Sequence, residues 1–356
     1  MPSRRRVLQM LGAGGVIGGG GWALFGGTRA NAYYQGPVSD HFDGVRFFNP
    51  GQAGPKGRLA FLRWQLSDRG VSWPSAFPSQ FAADRPPAQV TGDGVRVTYV
   101  GHASFLLQTR GKNILIDPVW ADRASPFSFV GPRRVNAPGI AFDDLPKIDA
   151  VLVTHNHYDH MDTGTIGRLW QRFRSRIVTP LGNDTILKGA VPDIAADAVD
   201  WDAAVDLGDG LVVHAEPTQH WSARGTGDRS HALWTSFVVQ AGAKKIYCVG
   251  DSGFGTGATF ARVRGRHPDL ALALLPIGAY EPRWFMRTSH MNPDESVQAL
   301  QLCGAPLAFG HHWGTFHLTN EAVEQPKIDL AAALAGRSIP LERFPALRPG
   351  AVHVVG

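Results

Sequence analysis

Thr154-His155-Asn156-His157-Tyr158-Asp159-His160 places three imidazoles and a carboxylate within six residues, directly after the apolar run 150–153. That run reads as a buried strand, so the polar cluster sits at a strand-to-loop exit. Imidazole and carboxylate are donors suited to zinc and related divalent ions. Six adjacent residues cannot easily wrap all four groups around one tetrahedral ion. A pair of ions is the more natural geometry, with His155 and His157 on one and Asp159 and His160 on the other.

Two ions need more donors, and the chain offers them at other strand ends. His220 follows an expected strand at 211–214, beyond the turn Glu216-Pro217-Thr218. Asp251 ends the strand 246–249 in Val249-Gly250-Asp251-Ser252-Gly253, where the glycines let the backbone crowd the site. A carboxylate can bridge two cations, and that role falls to Asp251. The pair His311-His312 lies after a strand at 307–309.

Farther out, β-branched and apolar runs predict strands at 95–100, 105–108, 113–116, 177–179, 235–240 and 270–276, the second and third pairing across Arg110-Gly111. Helices are expected at 59–66, at 293 to about 303 behind an Asn292 cap with Pro293 at the first helical position, and at 329–335 up to Gly336. Hairpins interleaved with helices over roughly 240 residues indicate a layered α/β domain. Residues 95–356 are expected to form that domain. Residues 33–94, rich in Pro, Gly, Phe and Trp, read as an extension packed on its core.

The chain has 356 residues, 44% of them hydrophobic, which excludes a disordered class. Its 2 cysteines, Cys248 and Cys303, form neither a disulfide scaffold nor a thiolate metal site. The net charge of +5 suggests nucleic acid or anionic lipid until it is located. Residues 1–32 hold Arg4, Arg5, Arg6 and Arg29 and no acid, leaving 31 basic against 30 acidic side chains in the rest, so nucleic acid is not expected as a partner. The adjacent arginines, a weakly apolar stretch and Ala30-Asn31-Ala32 have the order of a twin-arginine export signal over 1–32, cleaved or retained as an anchor. The expected location is the periplasm.

Gly101-His102-Ala103-Ser104, Ile116-Asp117-Pro118 and the histidine run together resemble the metallo-β-lactamase superfamily. Gly131-Pro132-Arg133-Arg134, Gln219-His220-Trp221, the segment 276–286 and His312-Trp313-Gly314-Thr315-Phe316 narrow the resemblance to the branch of N-acylphosphatidylethanolamine-hydrolysing phospholipase D and its bacterial relatives. It covers about residues 90–335, and more loosely Phe47-Phe48-Asn49-Pro50 and Leu62-Arg63-Trp64. The resemblance implies an αββα sandwich. It implies one zinc on His155, His157 and His220, a second on Asp159, His160 and His312, and Asp251 bridging. Iron or manganese would also suit these donors. The same pattern favours His312 over His311, since the ligand directly precedes Trp313. It further implies that His290 positions the substrate phosphate or moves a proton, and that Asp117 orients a ligand histidine.

The expected activity is hydrolysis of an N-acyl phospholipid or related phosphodiester with phospholipase D-type cleavage by a hydroxide bridging two zinc ions, with contact to a membrane surface. A lactonase or other ester or amide hydrolase on the same site, and a di-iron oxidoreductase, are the rival readings. His102 reads as structural, Tyr158 as loop packing and Cys248 as core. Tyr280, Trp284 and Phe285 suit either core packing or a wall of the substrate cleft.

Overall fold

The computed structural model describes residues 30–67 and 70–356. The arginine run and apolar stretch of the expected signal lie outside the described residues. No helix among the described residues is long and apolar enough to cross a membrane.

Among the described residues thirteen strands form two sheets. In the first, β1 (Val95–Gly101), β2 (Ser104–Thr109) and β3 (Lys112–Ile116) run as antiparallel hairpins. The sheet then continues in parallel through β4 (Ala150–Leu152), β5 (Arg176–Pro180) and β6 (Ala196–Val199). The second begins with β7 (Ala204–Gly208), β8 (Leu211–Glu216), β9 (Ser236–Ala241) and β10 (Lys244–Cys248), all antiparallel. It ends with β11 (Leu270–Pro276) and β12 (Ala308–His311), parallel to β10. The last strand, β13 (Val352–Val355), returns to pair with β1.

Side-chain alternation along these strands explains the layering. Phe105 and Leu107 of β2, Ile114 and Ile116 of β3, Ile246 and Cys248 of β10, and Leu272 and Leu274 of β11 all meet between the sheets. Their neighbours Leu106 and Leu115 point outward onto α2 (Thr163–Phe173) and α3 (Asn183–Ala190) through Ile166, Leu169 and Leu187. Tyr247, Ala273 and Leu275 point outward onto α4 (Ala258–Arg266), α6 (Pro293–Cys303) and α7 (Gln325–Ala335). Strands covered on both faces read as continuous apolar runs, because a period of two serves two cores. The result is the αββα sandwich expected from the sequence.

The other α-helices among the described residues are α1 (Arg58–Ser67), which precedes β1, and α5 (Arg283–Met286). The chain before β1 is tied to the loop between β12 and α7. Trp64 Nε1 donates to Asn320 Oδ1, Val71 N to Asn320 O, and Trp73 Nε1 to Glu321 O. Asn31, inside the Ala-Asn-Ala pattern, is buried and donates to the carbonyls of Val45 and His231.

Candidate metal centre

The functional side chains follow the carboxyl ends of five strands: Asp117 after β3, the histidine run after β4, His220 after β8, Asp251 after β10 and His312 after β12. In layered α/β folds this end of the sheet is where loops diverge and leave room for a ligand. Three side chains here leave tight turns: Asp117, His102 and His312 have left-handed φ of 41°, 57° and 65°, uncommon for non-glycine residues though less so for Asp and His. Glycines allow close approach here: a Cβ at Gly250 would lie 2.7 Å from Thr154 Oγ1, and one at Gly278 2.2 Å from His312 O.

Among the described residues two groups of four donors result: His155, His157, His220 and Asp251 make the first, and His102, Asp159, His160 and His312 the second; a third set, Asp251, His290 and His312, overlaps both. In the first, His157 Nδ1 lies 2.9 Å from His155 Nε2 and 3.2 Å from His220 Nε2, and Asp251 Oδ2 is 3.9 and 3.7 Å from those two Nε2 atoms. In the second, Asp159 Oδ2 is 3.3 Å from His312 Nε2 and 3.7 Å from His160 Nε2. Asp251 turns Oδ2 to His160 Nε2 at 3.3 Å and Oδ1 to His312 Nε2 at 3.0 Å. Donors placed tetrahedrally about zinc at bond lengths of about 2.1 Å lie roughly 3.4 Å from one another. The spacing fits divalent ions in both groups. His160 Nε2, His312 Nε2 and Asp251 Oδ1 are buried without a hydrogen-bond partner, which a bound cation would satisfy.

The orientation of the ligand rings is built into the scaffold. Asp117 accepts from Thr154 N, Thr154 Oγ1 and His160 Nδ1, each at 2.7 Å. Because the Thr154 hydroxyl donates to Asp117, its oxygen accepts from His155 Nδ1 at 3.0 Å. His220 Nδ1 donates to Ser289 O at 2.9 Å. A neutral imidazole carries one proton, so anchoring Nδ1–H leaves the Nε2 lone pair of all three rings free for the ion.

Electrostatics divides the site. Burial dominates His155, His157 and His220 and pushes each below its usual range, His157 to about 4. Burial would also lower His160 and His312, but Asp251 and Asp159 outweigh it, holding His160 well above its usual range and His312 at about 9. The carboxyls respond in kind: burial opposes their ionisation, yet the facing imidazoles keep Asp159 and Asp251 well below the usual carboxylate range.

His290, on the loop after α5, brings Nδ1 to 3.8 Å from Asp251 Oδ2, and burial lowers it to about 4. Its side chain is 14% exposed, against 2% or less for Asp251 and the nearest Nε2 donors, so it faces the mouth. His311 stays out of the cluster, its ring packed edge-on to Phe105. Cys248 packs between the sheets, and the Tyr158 hydroxyl donates to Arg224 O. Tyr280 is buried, whereas Trp284 is exposed and Phe285 stacks on Trp64 at 5.0 Å.

Two residues enter the site that the sequence did not assign to it. His102, expected to be structural, has Nε2 2.9 Å from Asp159 Oδ2, because its left-handed turn aims the ring inward. Asn49 reaches from the extension to the His220 loop, accepting from His220 N at 3.3 Å and donating to Thr218 O at 2.7 Å. Phe47-Phe48-Asn49-Pro50 was a signal for the second; the Gly-His-Ala turn was one for the first.

The profile of the beta-lactamase superfamily domain matches residues 112–313. Over 253 residues the chain is 35% identical to N-acyl-phosphatidylethanolamine-hydrolyzing phospholipase D 1 of Caenorhabditis elegans, covering 68% of this chain and 71% of that one. An uncharacterised protein of Mycobacterium tuberculosis is 31% identical over 348 residues, 92% of this chain and 91% of its own. Among solved structures, isothiocyanate hydrolase from Delia radicum gut bacteria shares the fold with a TM-score of 0.56 at 20% identity, covering 72% of this chain and 98% of that one. The chain therefore belongs to the metallo-β-lactamase superfamily of metal-dependent hydrolases, as a bacterial relative of its N-acylphosphatidylethanolamine-hydrolysing phospholipase D branch.

Proposed function

We propose that the protein is a dinuclear zinc phosphodiesterase that cleaves a phospholipid, N-acylated or not, on the head-group side of phosphorus. The observation that carries this reading is Asp251, whose two oxygens face nitrogens of both donor groups. When bound there, divalent cations supply Lewis-acid polarisation of a phosphoryl oxygen and activation of water near neutral pH.

The chain's own residues do the rest. Asp251 and Asp159 bring negative charge to match the cations, and Asp117, Thr154 and Ser289 hold three ligand rings in one tautomer. His290, neutral and at the mouth, offers its ring to a phosphoryl oxygen or the leaving group. Burial of the whole cluster strengthens each of these interactions.

Lipid as substrate draws support from the name of the Caenorhabditis elegans relative and from α1. Leu59, Phe61, Leu62 and Leu66 are exposed on that helix, Leu59 at 84%, beside exposed Trp284. Phe61 and Trp64 pack on Phe285, in the element that leads to His290, and Lys56, just before α1, and Arg287, just after α5, are exposed. An apolar helix face with basic neighbours suits an anionic membrane surface. We expect the double substitution Leu59→Glu with Leu62→Glu to weaken binding to phosphatidylglycerol vesicles about tenfold or more, since each leucine contributes roughly 1.5–3 kcal/mol on burial. Turnover of a short-chain soluble phosphodiester should stay unchanged. Equal vesicle retention by the variant would remove the membrane from the account. Export to the periplasm, resting on the arginine run, is part of the same proposal, and N-terminal sequencing of the exported protein tests it.

The function itself is tested by offering the zinc-loaded protein phosphodiester, lactone and β-lactam substrates side by side. Phosphodiester hydrolysis should dominate. Turnover confined to lactones or β-lactams, or iron content with no hydrolysis, would contradict it.

A further inference from the structure

We infer that His102 is a positioning residue for the second metal position: it holds Asp159 in its ligating orientation and sets the affinity of that half of the centre alone. The inference rests on the two-ion reading.

His102 sits in the tight turn between β1 and β2, far in sequence from the histidine run, and is 1% exposed. Its backbone is fixed from three directions. His102 O accepts from His312 N and from the Tyr99 hydroxyl, both at 2.7 Å, and His102 N donates to Thr315 Oγ1 at 3.2 Å. The ring packs 4.1 Å from that of His312 and edge-on to Phe316 at 5.1 Å. One residue thus joins two donors of the second group, His312 through the backbone and Asp159 through the side chain.

The chemistry of the contact fixes the role. An ionised carboxylate only accepts hydrogen bonds, so the 2.9 Å pair between His102 Nε2 and Asp159 Oδ2 places the ring proton on Nε2. A protonated ring nitrogen has no lone pair for a metal. His155, His160 and His220 are wired the opposite way: each gives Nδ1–H to the scaffold and keeps Nε2 for the site. His102 instead gives its proton to a ligand. That bond fixes the Asp159 rotamer and occupies one acceptor position of Oδ2, leaving the rest of the carboxylate to the ion. The first group contains no contact from His102.

The test compares zinc binding to wild type, His102→Phe and His102→Gln by competition with a chelator of known affinity. Phenylalanine keeps a ring against His312 and removes the donor; glutamine restores an N–H. His102→Phe should bind one zinc as wild type does and the other about 10–100-fold more weakly, with His102→Gln in between. Two ions held at wild-type affinity by His102→Phe, or equal weakening of both, would overturn the inference. Wild type binding only one ion would overturn the two-ion reading and this role with it. Should His102→Phe fail to fold, histidine-selective nitrogen NMR on the zinc-loaded wild type gives the answer. A His102 ring protonated at Nε2 is expected. Protonation at Nδ1 would make His102 a direct ligand and refute the assignment.

Discussion

Asp251→Asn should lower kcat/KM toward a phosphodiester by about 10³-fold, or about 4 kcal/mol at 1.36 kcal/mol per tenfold. The substitution is close to isosteric, so the loss reports charge and donor type. Both Asp251 oxygens are buried and face histidine nitrogens in the two groups. An amide lacks the negative charge that cations held there would need and aims an N–H at one of the facing rings. Metal content should fall from two ions per chain to one or none. Near-normal turnover with intact folding would remove Asp251 from the role.

Chelation is the second large effect. Removing the ions should abolish turnover by about a hundredfold or more, with recovery on adding zinc back, since only coordination brings water into useful range near pH 7. The metal-free protein should also acquire its own pH dependence. His312, raised to about 9, contributes stability that is complete below the unfolded value of 6.5 and is lost as pH rises through 9; His160 acts in the same direction. His155, His157 and His220, all lowered, contribute stability that is present above 6.5 and lost as pH falls. The metal-free site therefore favours the fold most near pH 6.5. Calorimetry should show Tm of the stripped protein falling between pH 6.5 and 9, where the zinc-loaded protein holds. Zinc binding at pH 7 should release protons, because His160 and His312 must lose theirs to coordinate.

Much of the centre was legible because its donors are local. The histidine run brings four donors to one loop, and the residues expected as ligands lie together in donor groups that could hold metal ions, joined by His102 and His290. Strand β11 runs over 270–276 as expected, and the Asn292 cap of α6 forms a full capping box with Glu295. What escaped depends on distant partners or weak local patterns. Strand β6 buries only Val199, and β13 lies at a sheet edge with alternating exposure, so neither shows an apolar run. Helix α2 follows the metal motif behind an Asp162 cap, but Gly164 and Gly167 dilute its helical signal. Helix α7 starts at Gln325, four residues before the expected 329, with Pro326 in its first turn. His102 and Asn49 acquire meaning only through Asp159 and His220, 57 and 171 residues away.

The central claim is attack at phosphorus with release of the head group. Incubating the zinc-loaded protein with a diacyl phospholipid in ¹⁸O-labelled water and identifying the products by mass spectrometry tests it directly. Hydrolysis at phosphorus yields phosphatidic acid carrying one labelled oxygen and an unlabelled head-group alcohol. Diacylglycerol, or a free fatty acid carrying the label, would contradict it.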